Sequence, residues 1–395
     1  MTDKVLRRDI TPELESLAAQ FPVVTILGPR QSGKTTLARA VFPKHEYLNL
    51  ELPALRLAAQ RDAVGFFKTH PAPVIIDEVQ HVPELLSYVQ VLADAQKRKG
   101  RFILTGSHQP RLAAGISQSL AGRTGLLRLL PFSIAELSKA GVTLERDEYL
   151  QRGFMPGVHA GGITPEVFYR SYYQTYVERD VRQLVNIASQ QSFETFVRLL
   201  AGRVGQVANL HSLAGDAGVS STTLAAWLSV LEASFIVFRL PCYFNNFGKR
   251  LTKAPKIYFT EPGLAAWLLG IETPAQAARD PLLGGLFENM VVVEALKTRL
   301  NAGREPGLYY YRDQREMEVD LLAHKGRRLL PVEIKAGMTY DPSFARHLAG
   351  FLKLAPKAET PTVLYAGDQT ALTNGVVHAN FRETGRIISE FDARE

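Results

Sequence analysis

The chain has 395 residues, 46% hydrophobic and 22% charged, with a formal net charge of +7 and a single cysteine, Cys242. That length exceeds one hydrophobic core and predicts two or three domains. There is no apolar run long enough to span a bilayer, no apolar signal-peptide core behind residues 1–8, and no second cysteine for a disulfide or a zinc cage. These features predict a cytoplasmic protein without membrane contact, and the basic balance favours a polyanionic partner.

In chain order, Thr11-Pro12-Glu13 reads as a helix start with a capping hydroxyl and a first-turn proline. An apolar strand, residues 23–27, then leads into Gly28-Pro29-Arg30-Gln31-Ser32-Gly33-Lys34-Thr35, an ungapped match to the phosphate-loop pattern G-x-x-x-x-G-K-[ST], and into a helix from Thr36 onward. Strand, glycine-rich loop and helix are the order phosphate binding requires. Gly28 and Gly33 let backbone N–H groups converge on phosphate oxygens, and the helix N-terminus adds partial positive charge. Lys34 then reaches the β/γ-phosphates and the Thr35 hydroxyl binds Mg²⁺. Residues 47–50 read as a second strand. Residues 73–78 are an apolar strand ending in Asp77-Glu78, the Walker B form: Asp77 holds the Mg²⁺ shell and Glu78 polarises the attacking water. A further strand at 101–104 ends in Thr105-Gly106-Ser107. ATP and Mg²⁺ are the expected cofactors.

The ordered set Gly-Pro-Arg-x-x-Gly-Lys-Thr-Thr-Leu, Ile-Ile-Asp-Glu-Val-Gln, Leu-Thr-Gly-Ser, Leu-Ala-Gly-Arg and Leu-Pro-Phe-Ser-x-x-Glu resembles prokaryotic AAA+-type ATPases. Their C-terminal half was long a domain of unknown function related to PD-(D/E)XK nucleases. The resemblance spans nearly the whole chain. It implies a parallel sheet with the phosphate loop at the carboxyl ends of its strands. It also implies a homo-oligomeric ring, six subunits being the expected number, in which an arginine from one subunit completes its neighbour's site. Arg123 is the candidate, with Arg179 behind it. Ser107 stands where such ATPases sense the γ-phosphate, a capping serine being the alternative. Glu178-Arg179-Asp180 also matches a motif of that family.

The glycine-rich residues 151–164 read as a hinge. Between Phe168 and Tyr176 the aromatic residues fall at helical spacing, which favours a packed stripe over base stacking. Residues 209–234 have helix-turn-helix character, with the turn at Gly218 and Leu224, Trp227, Leu228 and Leu231 facing inward. Strand-like residues 235–240 and 256–259 complete a winged-helix pattern. The segment between them carries Lys249, Arg250, Lys253 and Lys256 without an acid, which suits contact with DNA phosphates. Lys249, Arg250 and Lys253 are the candidate DNA-binding residues, and a protein-contact or lid module is the alternative.

Beyond a buried helix at 286–296, residues 308–312, 316–322 and 329–335 read as three consecutive strands. Alternation puts Glu316, Glu318 and Asp320 on one face, and Glu333 with Lys335 on another. With the strands in register, Asp320, Glu333 and Lys335 meet, and Glu288 joins from the helix. Two carboxylates holding Mg²⁺ beside a lysine suit phosphodiester hydrolysis. The order Glu288, Asp320, Glu333-Ile334-Lys335 matches the PD-(D/E)XK pattern, a degenerate platform that binds nucleic acid or organises the ring being the leading alternative to cleavage.

The expected architecture is α/β: a P-loop AAA+-type domain at 1–150, the hinge, a helical and winged-helix segment at 165–270, and a PD-(D/E)XK-like domain at 271–395. The expected function is a Mg²⁺-dependent ATPase motor on branched or junction DNA, of helicase or branch-migration type. An ATP-gated DNA nuclease and an ATP-dependent switch binding protein partners are the alternatives.

Overall fold

The computed structural model describes residues 6–95, 98–107, 116, 118–181, 189–243, 254–314 and 316–394, with the side chains of 179 and 180 outside that description. The first region is built on a five-stranded parallel sheet ordered β2-β3-β4-β1-β5. In chain order its elements are α1 (Thr11–Gln20), β1 (Val23–Leu27), α2 (Lys34–Val41), β2 (Glu46–Asn49), α3 (Pro53–Arg61), α4 (Ala63–Thr69), β3 (Val74–Asp77), α5 (Leu85–Ala95), β4 (Phe102–Gly106) and β5 (Thr124–Arg128). Every residue of β1, β3 and β4 is buried, as expected of parallel strands covered on both faces. Alternation divides them. Val23, Leu27, Val74, Ile76, Phe102 and Leu104 pack against Phe66, Leu85 and Val89 on one side. Val24, Ile26, Ile75, Ile103 and Leu127 pack against Ile10, Leu14 and Leu37 on the other. Because β4 lies between β1 and β3, the carboxyl ends of those three strands bring the phosphate loop, Asp77 and Ser107 together.

The helices that follow are α6 (Ile134–Lys139), α7 (Arg146–Arg152), α8 (Pro156–His159), α9 (Pro165–Tyr172) continuing as a π-helical stretch over Tyr173–Val181, α10 (Gln190–Ala201), α11 (Leu210–Ala217) and α12 (Ser221–Ala233). Within residues 151–164, Gly153, Phe154 and Met155 are buried, the last two in the core, while 160–164 are exposed. The aromatic stripe is buried, and Phe168 stacks on Tyr172 with centroids 5.9 Å apart. Gly218 turns α11 into α12 at φ 69°, a left-handed conformation that favours glycine, and Ser220 Oγ accepts the Thr223 N–H at 3.1 Å to cap α12. β6 (Val237–Leu240) pairs antiparallel with β7 (Lys256–Phe259), followed by α13 (Pro262–Leu268) and α14 (Pro274–Ala277).

The last region has α15 (Leu283–Asn301), β8 (Leu308–Arg312), β9 (Glu318–Lys325), β10 (Arg328–Lys335), α16 (Arg346–Leu354), β11 (Thr362–Tyr365), β12 (Ala371–Thr373), β13 (Val376–Asn380) and α17 (Thr384–Ala393). Its mixed sheet runs β12-β13-β11-β10-β9-β8. The pairs β8–β9, β9–β10 and β12–β13 are antiparallel, and β10–β11 and β11–β13 are parallel. One apolar core runs from Leu130 through the middle helices to Phe391, so the middle and C-terminal regions are fused rather than beaded on linkers.

Candidate active site

The phosphate loop leaves β1 at Leu27 and enters α2 at Lys34. A Cβ at Gly28 would stand 2.1 Å from the Leu129 carbonyl oxygen, and Gly33 has φ +95°, so both turns require glycine. Gln31 also sits at φ 60°. Lys34 Nζ donates to the loop's own carbonyls, Gly28 O at 3.2 Å and Pro29 O at 2.8 Å. Burial pushes its ammonium below the ordinary lysine range, while Glu78 and Asp77 pull it back up. Ser32 Oγ is buried and, among the described residues, without a partner. The Arg30 guanidinium donates to Glu51 Oε1 at 2.9 Å, and Thr36 opens the first turn of α2 beside Thr35. A curled loop, a withdrawn ammonium and an orphan hydroxyl fit an incoming phosphate.

Asp77 is the centre of a side-chain network. Its carboxylate accepts from Thr35 Oγ1 at 3.0 and 2.9 Å, from Tyr47 OH at 2.7 Å and from Thr105 Oγ1. Hydrogen bonding to Asp77 follows burial in raising the Tyr47 phenol above its ordinary range, so it stays a donor. Thr35 and Asp77 therefore present oxygens to one point beside the loop, the donor set of a hard divalent cation, and the residues fit Mg²⁺. Glu78 follows in the left-handed region, φ 56° and ψ 48°, a costly conformation for glutamate and of the kind kept at working sites. Its Oε2 accepts from Gln80 Nε2, which also donates to Ser107 Oγ at 3.0 Å. Gln80 thus joins the two residues expected to act on the γ-phosphate.

A cavity of about 700 Å³ opens beside the loop, lined by Arg7, Thr11, Gly33, Thr36, Leu37 and Pro156 among others. Arg8 braces its floor. Its guanidinium donates to Ser32 O at 2.8 Å, Leu130 O at 2.7 Å and Glu136 Oε1 at 3.0 Å, all buried.

Residues 20–138 match the model of an AAA domain, and residues 143–275 and 283–381 match two domains of unknown function, DUF8612 and DUF4143. Over 351 residues, 88% of this chain and 77% of each relative, the sequence is 32% identical to uncharacterized proteins of Mycobacterium tuberculosis and Mycobacterium bovis. The chain belongs to this AAA-domain ATPase family. Among solved structures, it is similar to the Walker-type ATPase of Pyrococcus abyssi at 16% identity and TM-score 0.46, covering 68% of this chain and 97% of that one. AMPPCP-bound DnaA from Aquifex aeolicus aligns at 15% identity and TM-score 0.30, over 56% and 85% of the two chains.

In this AAA-domain ATPase the other expected residues fall in three places. Arg123 precedes β5, whose Thr124 pairs with Val23 at the start of β1, so it lies at the strand end opposite the phosphate loop and away from its own site. There it forms a forked pair with Asp94 at 2.7 and 2.9 Å. Lys249, Arg250 and Lys253 lie outside the described residues, as does the Arg179 side chain. Lys256 corrects the expectation of a basic wing that includes it. It is 1% exposed and paired with acids.

Asp320, Glu333, Lys335 and Glu288 do come together. Lys335 Nζ donates to Glu333 Oε1 at 2.6 Å and lies 3.5 Å from Asp320 Oδ2, which also accepts the Ile334 N–H at 2.8 Å. Burial, then Asp320, raises the Glu333 carboxyl to about 8, against Lys335. Glu316 does not join. It lies before β9 at φ 60° with its exposed carboxylate 3.4 Å from Arg312. Lys256, expected in the wing, joins this cluster instead, its Nζ 2.8 Å from Glu288 Oε1 and 2.5 Å from Glu318 Oε1. Arg8, Tyr47, Gln80 and Thr105 were missed. Of these, Gln80 in the Ile-Ile-Asp-Glu-Val-Gln run and Thr105 in Leu-Thr-Gly-Ser stood within recognised motifs. No helix of the described residues is long and apolar enough to cross a membrane.

Proposed function

We propose that the chain is a Mg²⁺-dependent ATPase that works on DNA, branched or junction structures above all, as a ring of identical subunits. The observation that carries the ATPase reading is Thr35 and Asp77 sharing one point beside the phosphate loop, with Glu78 next along the strand. The nucleoside base fits the cavity between α1, α2 and the 156–161 segment. Loop N–H groups and Lys34 bind the phosphates, Lys34 exchanging loop carbonyls for phosphate oxygens. Thr35 and Asp77 would hold Mg²⁺, which would supply neutralisation of phosphate charge. Glu78 orients a water in line with the γ-phosphorus and takes its proton as the bond to the ADP oxygen breaks. Gln80 holds Glu78 in register with Ser107 until a γ-phosphate competes for both.

Support for DNA is of a different kind. The paired helices α11 and α12, their capped glycine turn and the β6–β7 hairpin support a winged-helix reading. Lys249, Arg250 and Lys253 belong to the segment joining those strands. The order α15, β8, β9, β10, α16, β11 supports a PD-(D/E)XK-like reading of the last region. Arg123, partly exposed and away from its own phosphate loop, suits completion of a neighbour's site. The test is ATP turnover with forked, four-way, linear and no DNA. Stimulation by the branched forms is expected, and equal turnover in all four would remove DNA from the reading. Salt-dependent DNA retention lost on neutralising Lys249, Arg250 and Lys253 separates this reading from a protein-binding switch.

A further inference from the structure

The carboxylates at the α15 end of the β9–β10 sheet stand where a PD-(D/E)XK-like fold would carry a divalent metal. Their surroundings do not fit one. Among the described residues, no group of three or more His, Cys, Asp and Glu is arranged to hold a metal ion. The physical reason is Lys256. Its side chain leaves β7 with 2% of its surface exposed, and its Nζ lies 2.8 Å from Glu288 Oε1, 2.5 Å from Glu318 Oε1 and 4.0 Å from Asp320 Oδ1. Tyr258 OH, two residues along the same strand, donates to the same Glu288 oxygen at 2.5 Å.

Most of the remaining oxygens are also engaged, Glu333 Oε2 alone of the Asp320–Glu333 pair being buried without a partner among the described residues. Asp320 Oδ2 takes the Ile334 N–H and faces Lys335, and Glu333 Oε1 takes Lys335. Glu318 Oε2 lies 3.4 Å from Arg312 Nη1. Four carboxylates, Glu288, Glu318, Asp320 and Glu333, thus meet three cations, Lys256, Lys335 and Arg312. A Mg²⁺ ion would need oxygens at about 2.0–2.1 Å around the space the ammonium fills, and the two cannot share it. A buried ammonium is itself costly unless acids surround it, so the acids and the lysine are built for each other.

We infer that Lys256 is the resident cation of the C-terminal carboxylate centre, which therefore works as an ion-paired joint between β7, α15 and β9 and not as a metal site. The joint welds the hairpin strand to the C-terminal sheet, and a divalent ion gains the centre only when the lysine is taken away. This does not depend on what ATP hydrolysis drives.

The test is Mn²⁺ binding to the full-length chain, by calorimetry and by electron paramagnetic resonance. Asp77→Asn is present throughout to remove the ATP-site contribution, and no nucleotide is added. The chain with Lys256 is expected to take up no stoichiometric Mn²⁺ at millimolar concentration. Adding Lys256→Met should create one site at least tenfold tighter, which Asp320→Asn then removes. Stoichiometric Mn²⁺ binding by the Lys256 chain that Asp320→Asn abolishes would overturn the inference. A folded Lys256→Met chain that still binds no Mn²⁺ would also overturn it, because the lysine would not be what excludes the ion. If Lys256→Met fails to fold, the triple variant with Glu318→Gln lowers the uncompensated charge, and the same two outcomes decide.

Discussion

Arg8→Met removes a guanidinium that reaches three regions at once, and the structure sets the size of the loss. Arg8 is 6% exposed and the Glu136 side chain it pairs with is fully buried. Without Arg8, Glu136 keeps the N–H groups of Asp9 at 2.7 Å and Ser133 at 2.9 Å but has lost its counter-charge. Deleting one partner of a buried pair costs about 3–5 kcal/mol, and the two surviving N–H bonds favour the low end, about 3 kcal/mol. Ser32 O and Leu130 O also lose their donor, so the phosphate loop is held less firmly. A nucleotide that must order the loop on binding should then bind roughly tenfold more weakly, about 1.4 kcal/mol. Urea unfolding followed through Trp227 and Trp267 reads the first number, and titration with a non-hydrolysable ATP analogue reads the second. Glu136→Gln and the double variant close the cycle, with a coupling well above 1 kcal/mol expected. An Arg8→Met chain within 1 kcal/mol of the native one, with unchanged analogue affinity, would refute the brace.

Glu78→Gln should retain analogue binding and lose about 10²–10⁴-fold in turnover, measured as phosphate release, because only the proton acceptor is removed. Gln80→Ala and Ser107→Ala should each lower kcat roughly tenfold with little change in KM. The double variant should fall little further, since the two share one hydrogen bond; full additivity would separate their roles. Arg123→Ala should leave the unfolding curve unchanged, its pair with Asp94 being exposed, yet cut turnover about 10³-fold if it serves a neighbour; native turnover in the variant would end that assignment. Burial pushes the Glu294 carboxyl up to about 7, with Lys297 opposing and Glu136 adding to the rise, so the folded chain binds its proton more tightly than the unfolded one. Stability should therefore fall by at most roughly 3 kcal/mol as pH rises from about 4.5 to 7, and Glu294→Gln should flatten that stretch of a pH series of unfolding curves.

The parts of the site that lie along one stretch of chain were legible in the sequence. The phosphate loop, the strand ending in Asp77-Glu78 and the three strands β8 to β10 each announce themselves within a dozen residues. What closes around them comes from afar. Tyr47 and Thr105 reach Asp77 from β2 and β4, and only the strand order puts them there. Arg8 drew no reading from the sequence because its pairing with Glu136 spans 128 positions. Lys256 was misjudged for a similar reason. Its sequence neighbours are cations, whereas its neighbours in space are acids on α15 and β9. Glu316 failed for a local one: alternation was extended past the point where a left-handed residue ends the strand.

One helix bonds the regions to one another. α15 is buried nearly all round, and its polar residues reach β7, the segment at the start of α6, and α17. Glu288 takes Lys256 of β7, and the Asn289 amide bonds the Phe259 backbone at 2.7 and 2.8 Å. Glu294 accepts the Ile134 N–H at 3.0 Å, Lys297 donates to Phe132 O at 2.7 Å, and Arg299 forks onto Asp392 of α17. A buried polar group costs free energy unless its partner is in place, so sliding or rotating α15 would break several of these bonds together. The segment 132–136 is thereby fixed to the C-terminal sheet, and Glu136 carries that attachment through Arg8 to the phosphate loop. The C-terminal sheet cannot swing as a free body against this face of the ATPase region. α3, α4 and α5, on the opposite face of the parallel sheet, lie outside that network.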